Sequence, residues 1–136
     1  NRVAGELGLR APVALRVNPD VDAGTHPYIS TGLKENKFGI PYRDARRLYA
    51  KAAALPGIEV AGIHMHIGSQ ITDLGPFRDA FRLMRELALE LRRDGHTLAH
   101  LDIGGGLGVP YRGTTDVPPS PLPGDLVRED CGHLAE

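Results

Sequence analysis

The stretch from Ile58 to Ile103 constrains the fold more than any other part of the chain. An apolar run, about Ile58 to Ile67, gives way to a long helical stripe and then to a second apolar run, about Leu98 to Ile103. Within the stripe, Phe77, Ala80, Phe81, Met84, Leu87, Ala88 and Leu91 recur at helical spacing. Arg78, Asp79, Arg82, Arg85, Glu86 and Glu90 take the other side, which is the pattern of a helix packed on a core. Pro76 stands at a favoured first-turn position and Gly95 stops the helix. Strand, helix and strand in this order imply parallel strands joined by a right-handed crossover.

Upstream, Val13 to Asn18 is a further strand, ended by Pro19. The long stretch from Pro19 to Ile40 is rich in Gly, Asp, Asn, Thr and Pro, and unstructured loops of such length are usually functional or disordered. A helix is predicted from about Tyr42 to Leu55, with Ala45, Leu48, Tyr49 and Ala52 on one side and Pro56-Gly57 ending it. Past about Tyr111 the chain is Pro-rich, and no regular element is expected. The chain thus divides into a folded part, 1–112, and an irregular tail, 113–136.

Alternate strand residues face opposite sides. Ala61, Ile63, Met65 and Ile67 are expected on one face, with Val60, Gly62, His64 and His66 on the other. Ala99, Leu101 and Ile103 likewise oppose His100, Asp102 and Gly104. One face is apolar and suits a layer of helices. The other is polar, as on the inside of a barrel near its active rim, whereas an open doubly wound sheet should be apolar on both. The expected fold is α/β: about three consecutive β-α units of a (β/α)8 TIM-type barrel. It would not close by itself, because a whole barrel needs about 250 residues.

Composition excludes several classes. The chain has 136 residues, 41% of them hydrophobic, and a net charge of −1, which leaves no electrostatic footprint for nucleic acid. No apolar run approaches the roughly 20 residues of a membrane span. The one cysteine, Cys131, rules out an internal disulfide and fits a reducing, cytoplasmic setting. The first residues lack both an initiator Met and the apolar core of a signal peptide, so part of a longer protein is expected.

Two strand ends carry the chemistry. Gly104-Gly105-Gly106 follows the last strand, yet the dinucleotide spacing fails because position 109 is Val109, and no Gly-Lys-Ser/Thr follows for a P-loop. What remains is a set of bare peptides that either cradle a phosphate or merely permit a tight turn. Gly68-Ser69 has the same character, with a hydroxyl to offer. His64 and His66 form a His-x-His pair that suits three roles. They could ligate a metal with Asp102 or His100, stack on a planar cofactor through His66, or be hydrogen-bonded interior groups. Arg16, beside Asn18 and opposite Val13, Leu15 and Val17, needs an anion or carboxylate unless it lies on an exposed edge.

Several motifs recur here in a familiar order: Leu15-Arg16-Val17-Asn18-Pro19, Thr25-His26-Pro27-Tyr28-Ile29-Ser30-Thr31-Gly32, Lys37-Phe38-Gly39, Gly62 to Gln70, and Asp102 to Gly106. Over about residues 1–121 the chain resembles the diaminopimelate decarboxylases, in the alanine-racemase-like, fold-type III class of pyridoxal-phosphate enzymes. Single motifs are shared with ornithine and arginine decarboxylases of the same fold, but the His-Pro-Tyr-Ile-Ser-Thr-Gly and Lys-Phe-Gly loop points to the diaminopimelate enzymes. The resemblance implies pyridoxal 5′-phosphate as cofactor. His66 would stack on its ring, Ser69 and Gly104, Gly105 and Gly106 would hold its phosphate, and Arg16 would lie near the ring. It implies decarboxylation of meso-diaminopimelate to L-lysine, the cofactor acting as electron sink, and a homodimer when full length.

The resemblance also has gaps. The family's Schiff-base lysine lies near the first barrel strand, and none of Lys34, Lys37 and Lys51 matches it, so no catalytic residue is assigned here and the chain alone is expected to be inactive. The later Glu-Pro-Gly-Arg segment is missing. Cys131, within Glu129-Asp130-Cys131-Gly132-His133, does not match the family's Cys-Glu-Ser stretch, and from Leu122 onward the chain drifts from the family's expected helix. The rival from another class, a metal-dependent barrel hydrolase using His64 and His66, leaves the glycine triplet and Ser69 without a purpose.

Overall fold

Residues 1–21, 38–109 and 121–134 are described by the structure, a computed structural model, with side chains up to 128 in the last stretch. In chain order the elements are α1 (Arg2–Glu6), β1 (Ala11–Asn18), β2 (Ile40–Pro41), a 3-10 turn (Tyr42–Asp44), α2 (Ala45–Ala53), β3 (Ile58–His64), α3 (Gly75–Arg93), β4 (His100–Asp102) and α4 (Pro123–Leu134). The strands form one parallel sheet in the order β2-β1-β3-β4. Crossovers through α2 and α3 make the parallel pairing possible. The short β2, pairing Ile40 with Val17 and Pro41 with Asn18, had no strand signal in the sequence. The motif Thr25 to Gly32, together with Lys34 and Lys37, lies outside the described residues.

The core lies between one sheet face and the helices. Val17, Ile63 and Met65 from the strands meet Ala45 and Tyr49 of α2 and Met84, Leu87, Ala88 and Leu91 of α3. A second cluster of Ile71, Phe77 and Phe81 continues it toward the strand ends. All seven residues of the predicted α3 stripe are buried, each large one contributing about 1.5–3 kcal/mol by leaving water. The opposite face carries Arg16, His64 and Asp102, which pair in register across β1, β3 and β4. Helices on one face and polar side chains on the other match the expected part of a barrel. The sheet is open.

Two expectations need correction. The register slips between β1 and β3, where Val13 pairs with Val60 but Ala14 pairs with Gly62, leaving Ala61 as an extra residue. A bulge of this kind resets the alternation of faces. Val60 therefore packs against the core with Ile63 and Met65, not on the polar side with His64. The irregular tail expected over 113–136 is also interrupted, because α4 occupies Pro123–Leu134. Proline is tolerated in a first helical turn, where its missing N–H would have no partner anyway. There the Asp125 carboxylate accepts the Leu122 N–H at 3.0 Å, and Leu126 packs against the second cluster.

Candidate functional site

Parallel strands put their C-terminal ends along one rim, and the chain's chemical groups gather there. Beyond β3, the Met65 N–H donates to the Asp102 carbonyl at 2.8 Å and extends the pairing with β4 by one step. His66 follows on the polar side. Its Nδ1 accepts the Gly105 N–H at 3.2 Å, which leaves the ring proton on Nε2. Burial, then the charge of Arg16 and the neighbouring His64, lower the His66 pKa, with Asp102 opposing them. His66 is thus held as a neutral, oriented ring.

The glycine turn is built by close approach. A side chain at Gly104 would strike the Met65 carbonyl at 2.5 Å and His66 Nδ1 at 2.9 Å, and one at Gly106 would lie 1.9 Å from the Gly68 carbonyl. Both residues have positive φ, 74° and 106°, which L side chains rarely adopt. Gly105 differs: its φ is not positive, and a Cβ there would meet no described residue within 4 Å. The fold therefore needs glycine at 104 and 106 but leaves open space at 105.

The N–H groups of the turn are not equivalent either. Gly104 donates to the Asp102 carboxylate at 2.8 Å and Gly105 to His66. Among the described residues the Gly106 N–H and the Ser69 hydroxyl have no hydrogen-bond partner. Ser69 is exposed, and its Cα would be 3.5 Å from a Cβ at Gly106.

Arg16 completes the rim. Its Nη2 donates to the His66 carbonyl at 3.4 Å, and its guanidinium lies 5.7 Å from the centre of the Phe38 ring. Its Nε is buried with no hydrogen-bond partner among the described residues, which is costly for a cation unless an anion is supplied. The structure thus brings together all six predicted site residues: Arg16, His66, Ser69, Gly104, Gly105 and Gly106. Sequence reasoning missed Asp102 as the cap of the glycine turn, Phe38 against Arg16, and Gln70, whose partner is remote in sequence.

Metal chemistry finds no comparable assembly. Among the described residues no three His, Cys, Asp or Glu side chains come together to hold a metal ion. His64 and His66 acquire no third ligand from Asp102 or His100, and one Asp102 oxygen is committed to Gly104. No helix among the described residues is long and apolar enough to cross a membrane.

Residues 1–121 match the family described as pyridoxal-dependent decarboxylase, pyridoxal binding domain. The chain belongs to that family. Members of the decarboxylase family similar to it include diaminopimelate decarboxylase of Haemophilus influenzae, 58% identical over 121 residues, covering 89% of this chain and 29% of that protein. The diaminopimelate decarboxylase of Archaeoglobus fulgidus is 43% identical over all 136 residues, 32% of its own length. That alignment runs through the tail, whereas the family match ends at residue 121 and the Haemophilus influenzae alignment spans 121 residues, in line with the drift expected after Leu122. A crystal structure of diaminopimelate decarboxylase from Helicobacter pylori, complexed with L-lysine, superposes with a TM-score of 0.86 at 37% identity. It covers 98% of this chain and 33% of that one. The open parallel sheet is part of the barrel domain in such decarboxylases. The chain spans about a third of the relatives it matches, and the family implies pyridoxal phosphate as the cofactor.

Proposed function

We propose that this chain forms part of the cofactor site of a decarboxylase that converts meso-diaminopimelate to L-lysine and carbon dioxide. The observation that carries this reading is the convergence of six residues on one rim, with open space kept beside Gly105. Those residues suit pyridoxal phosphate in charge and shape. The Gly106 N–H and the Ser69 hydroxyl would hold the phosphate, while Gly104 and Gly105 shape the turn beneath it. The neutral ring of His66, pinned by Gly105, would stack on the pyridine. Arg16, whose Nε has no hydrogen-bond partner among the described residues, would add positive potential close to the ring. Pyridoxal phosphate, when bound, supplies an electron sink for the bond electrons that carbon dioxide leaves behind.

Support for the substrate comes from the identities of 58% and 43% to diaminopimelate decarboxylases. The lysine that would carry the cofactor is read as lying outside this chain, since Lys51 sits on the exposed side of α2 and the family position is not matched. The protein around this chain is taken to be a cytoplasmic homodimer, a reading supported by the family resemblance. Expressed with its flanking sequence, it should bind pyridoxal phosphate with a visible absorption band and release carbon dioxide from meso-diaminopimelate. It should leave ornithine and arginine untouched. A protein that binds no pyridoxal phosphate would sink the proposal, and turnover of ornithine instead would move it to a sister activity.

A further inference from the structure

Gln70, one residue past Ser69, has a φ of 56°. This left-handed backbone is costly for a residue other than glycine, and such strain persists where the surroundings over-determine it. The constraint comes from its own side chain. Gln70 Nε2 donates to the Val109 carbonyl at 3.1 Å, and the Val109 N–H donates to Gln70 Oε1 at 3.2 Å. The carboxamide so copies a peptide group and pairs with Val109 as a neighbouring strand would.

The next residue continues the seam through its backbone. The Ile71 N–H donates to the Gly106 carbonyl at 2.9 Å, the Gly108 N–H donates to the Ile71 carbonyl at 2.8 Å, and Ile71 bridges Leu107. Any residue but proline could make the bonds of Ile71. The pair made by Gln70 needs one donor and one acceptor at the end of a side chain of that length. Ser69 lies between His66 and this seam, and Gly106 faces it across the gap.

We infer that Gln70 is a positioning residue: it clamps the Ser69 loop to the segment after the glycine turn and fixes the width of the phosphate cup before any anion arrives. A cup held open in advance binds its anion without the cost of ordering two loops. The inference deepens the proposed function and takes the identity of the ligand from it.

The test uses the whole protein with Gln70→Ala, Gln70→Glu and Gln70→Gly. The Glu variant keeps an acceptor for the Val109 N–H but loses the donor and sets a carboxylate against the Val109 carbonyl. The Gly variant relieves the left-handed backbone, so its fold is not put at risk. Dissociation constants are measured for pyridoxal phosphate and for pyridoxal, which lacks the phosphate, alongside hydrogen exchange at the Val109 amide of the cofactor-free protein. Each variant should lose about tenfold in affinity for pyridoxal phosphate, and less than about twofold for pyridoxal. Val109 exchange should quicken in Gln70→Gly. Unchanged exchange, or equal losses for both ligands, would overturn the clamp. A wild type that binds neither ligand while Val109 still exchanges faster in Gln70→Gly would overturn the cofactor reading and leave the clamp standing.

Discussion

The helix layer and the rim of the sheet are held together by different physics. Under the sheet, α3 buries seven side chains against strand residues such as Ile63 and Met65, and the attraction there has no direction. At the rim, Gly104 is joined to Asp102, Gly105 to His66 and Gln70 to Val109 by hydrogen bonds of 2.8–3.2 Å. Apolar contacts summed over many atoms tolerate small displacements. Hydrogen bonds do not, and they weaken steeply with angle. Damage to the first region should therefore appear as lost stability, and damage to the second as lost cofactor affinity.

The largest effect on cofactor affinity should come from Gly106→Ala. Its Cβ would lie 1.9 Å from the Gly68 carbonyl at a φ of 106°, so the two loops must part. Affinity for pyridoxal phosphate should fall at least about 100-fold, close to 3 kcal/mol. Gly105→Ala sharpens the point, because no described residue comes within 4 Å of its methyl. Its unfolding midpoint should match wild type while cofactor affinity drops, which tests whether the open space belongs to the ligand. Phe81→Ala acts in the other region. Phe81 is 2% exposed beside Phe77, and its truncation should cost about 3–5 kcal/mol in denaturant unfolding. Any cofactor still bound by the folded fraction should bind with wild-type affinity.

The same division explains what was legible in the sequence. The α3 stripe, the order of elements and the polar face are periodic, and periodicity survives in a one-dimensional string. His66, Ser69 and the glycine triplet were visible as strand ends. The clamp from Gln70 to Val109 was not, because it joins residues 39 apart and no local pattern encodes it. The position of Val60 failed for a related reason. One inserted residue, Ala61, shifts the face of everything before it, and the bulge exists only in the pairing with Val13 and Ala14. In α4 the cluster of prolines outweighed a modest apolar pattern, yet Leu126 finds its partners in the second core cluster.

A smaller, pH-dependent effect should separate the regions again. The His66 pKa lies below its ordinary value, chiefly through burial and then through Arg16. Above about pH 6.5 the ring is neutral both folded and unfolded, and no stability depends on it. As pH falls through 6.5 the unfolded chain binds the proton first, so stability declines until the folded ring protonates as well. Arg16→Met removes a positive charge near the ring. NMR titration of His66 in that variant should show its midpoint moved upward, with the acid decline in stability reduced. A midpoint that does not move would mean that burial, with the neighbouring His64, sets the shift without Arg16.

The smallest effect tests whether the two regions are separate at all. The Tyr49 hydroxyl, buried under the sheet, donates to the Gly62 carbonyl at 2.8 Å and approaches the Leu15 carbonyl at 3.4 Å. Burial pushes its pKa up to about 12, so it remains a neutral donor across the working range of pH. Tyr49→Phe keeps the ring and removes only the hydroxyl, which should cost about 1 kcal/mol of stability. Leu15 immediately precedes Arg16, and Gly62 lies two residues before His64 in the strand that ends at the rim. If core and rim are independent, pyridoxal phosphate affinity in Tyr49→Phe is unchanged, the reverse of Gly105→Ala. A loss of affinity would mean that this one hydroxyl, tying α2 to two strands, also sets where Arg16 and the rim of β3 stand.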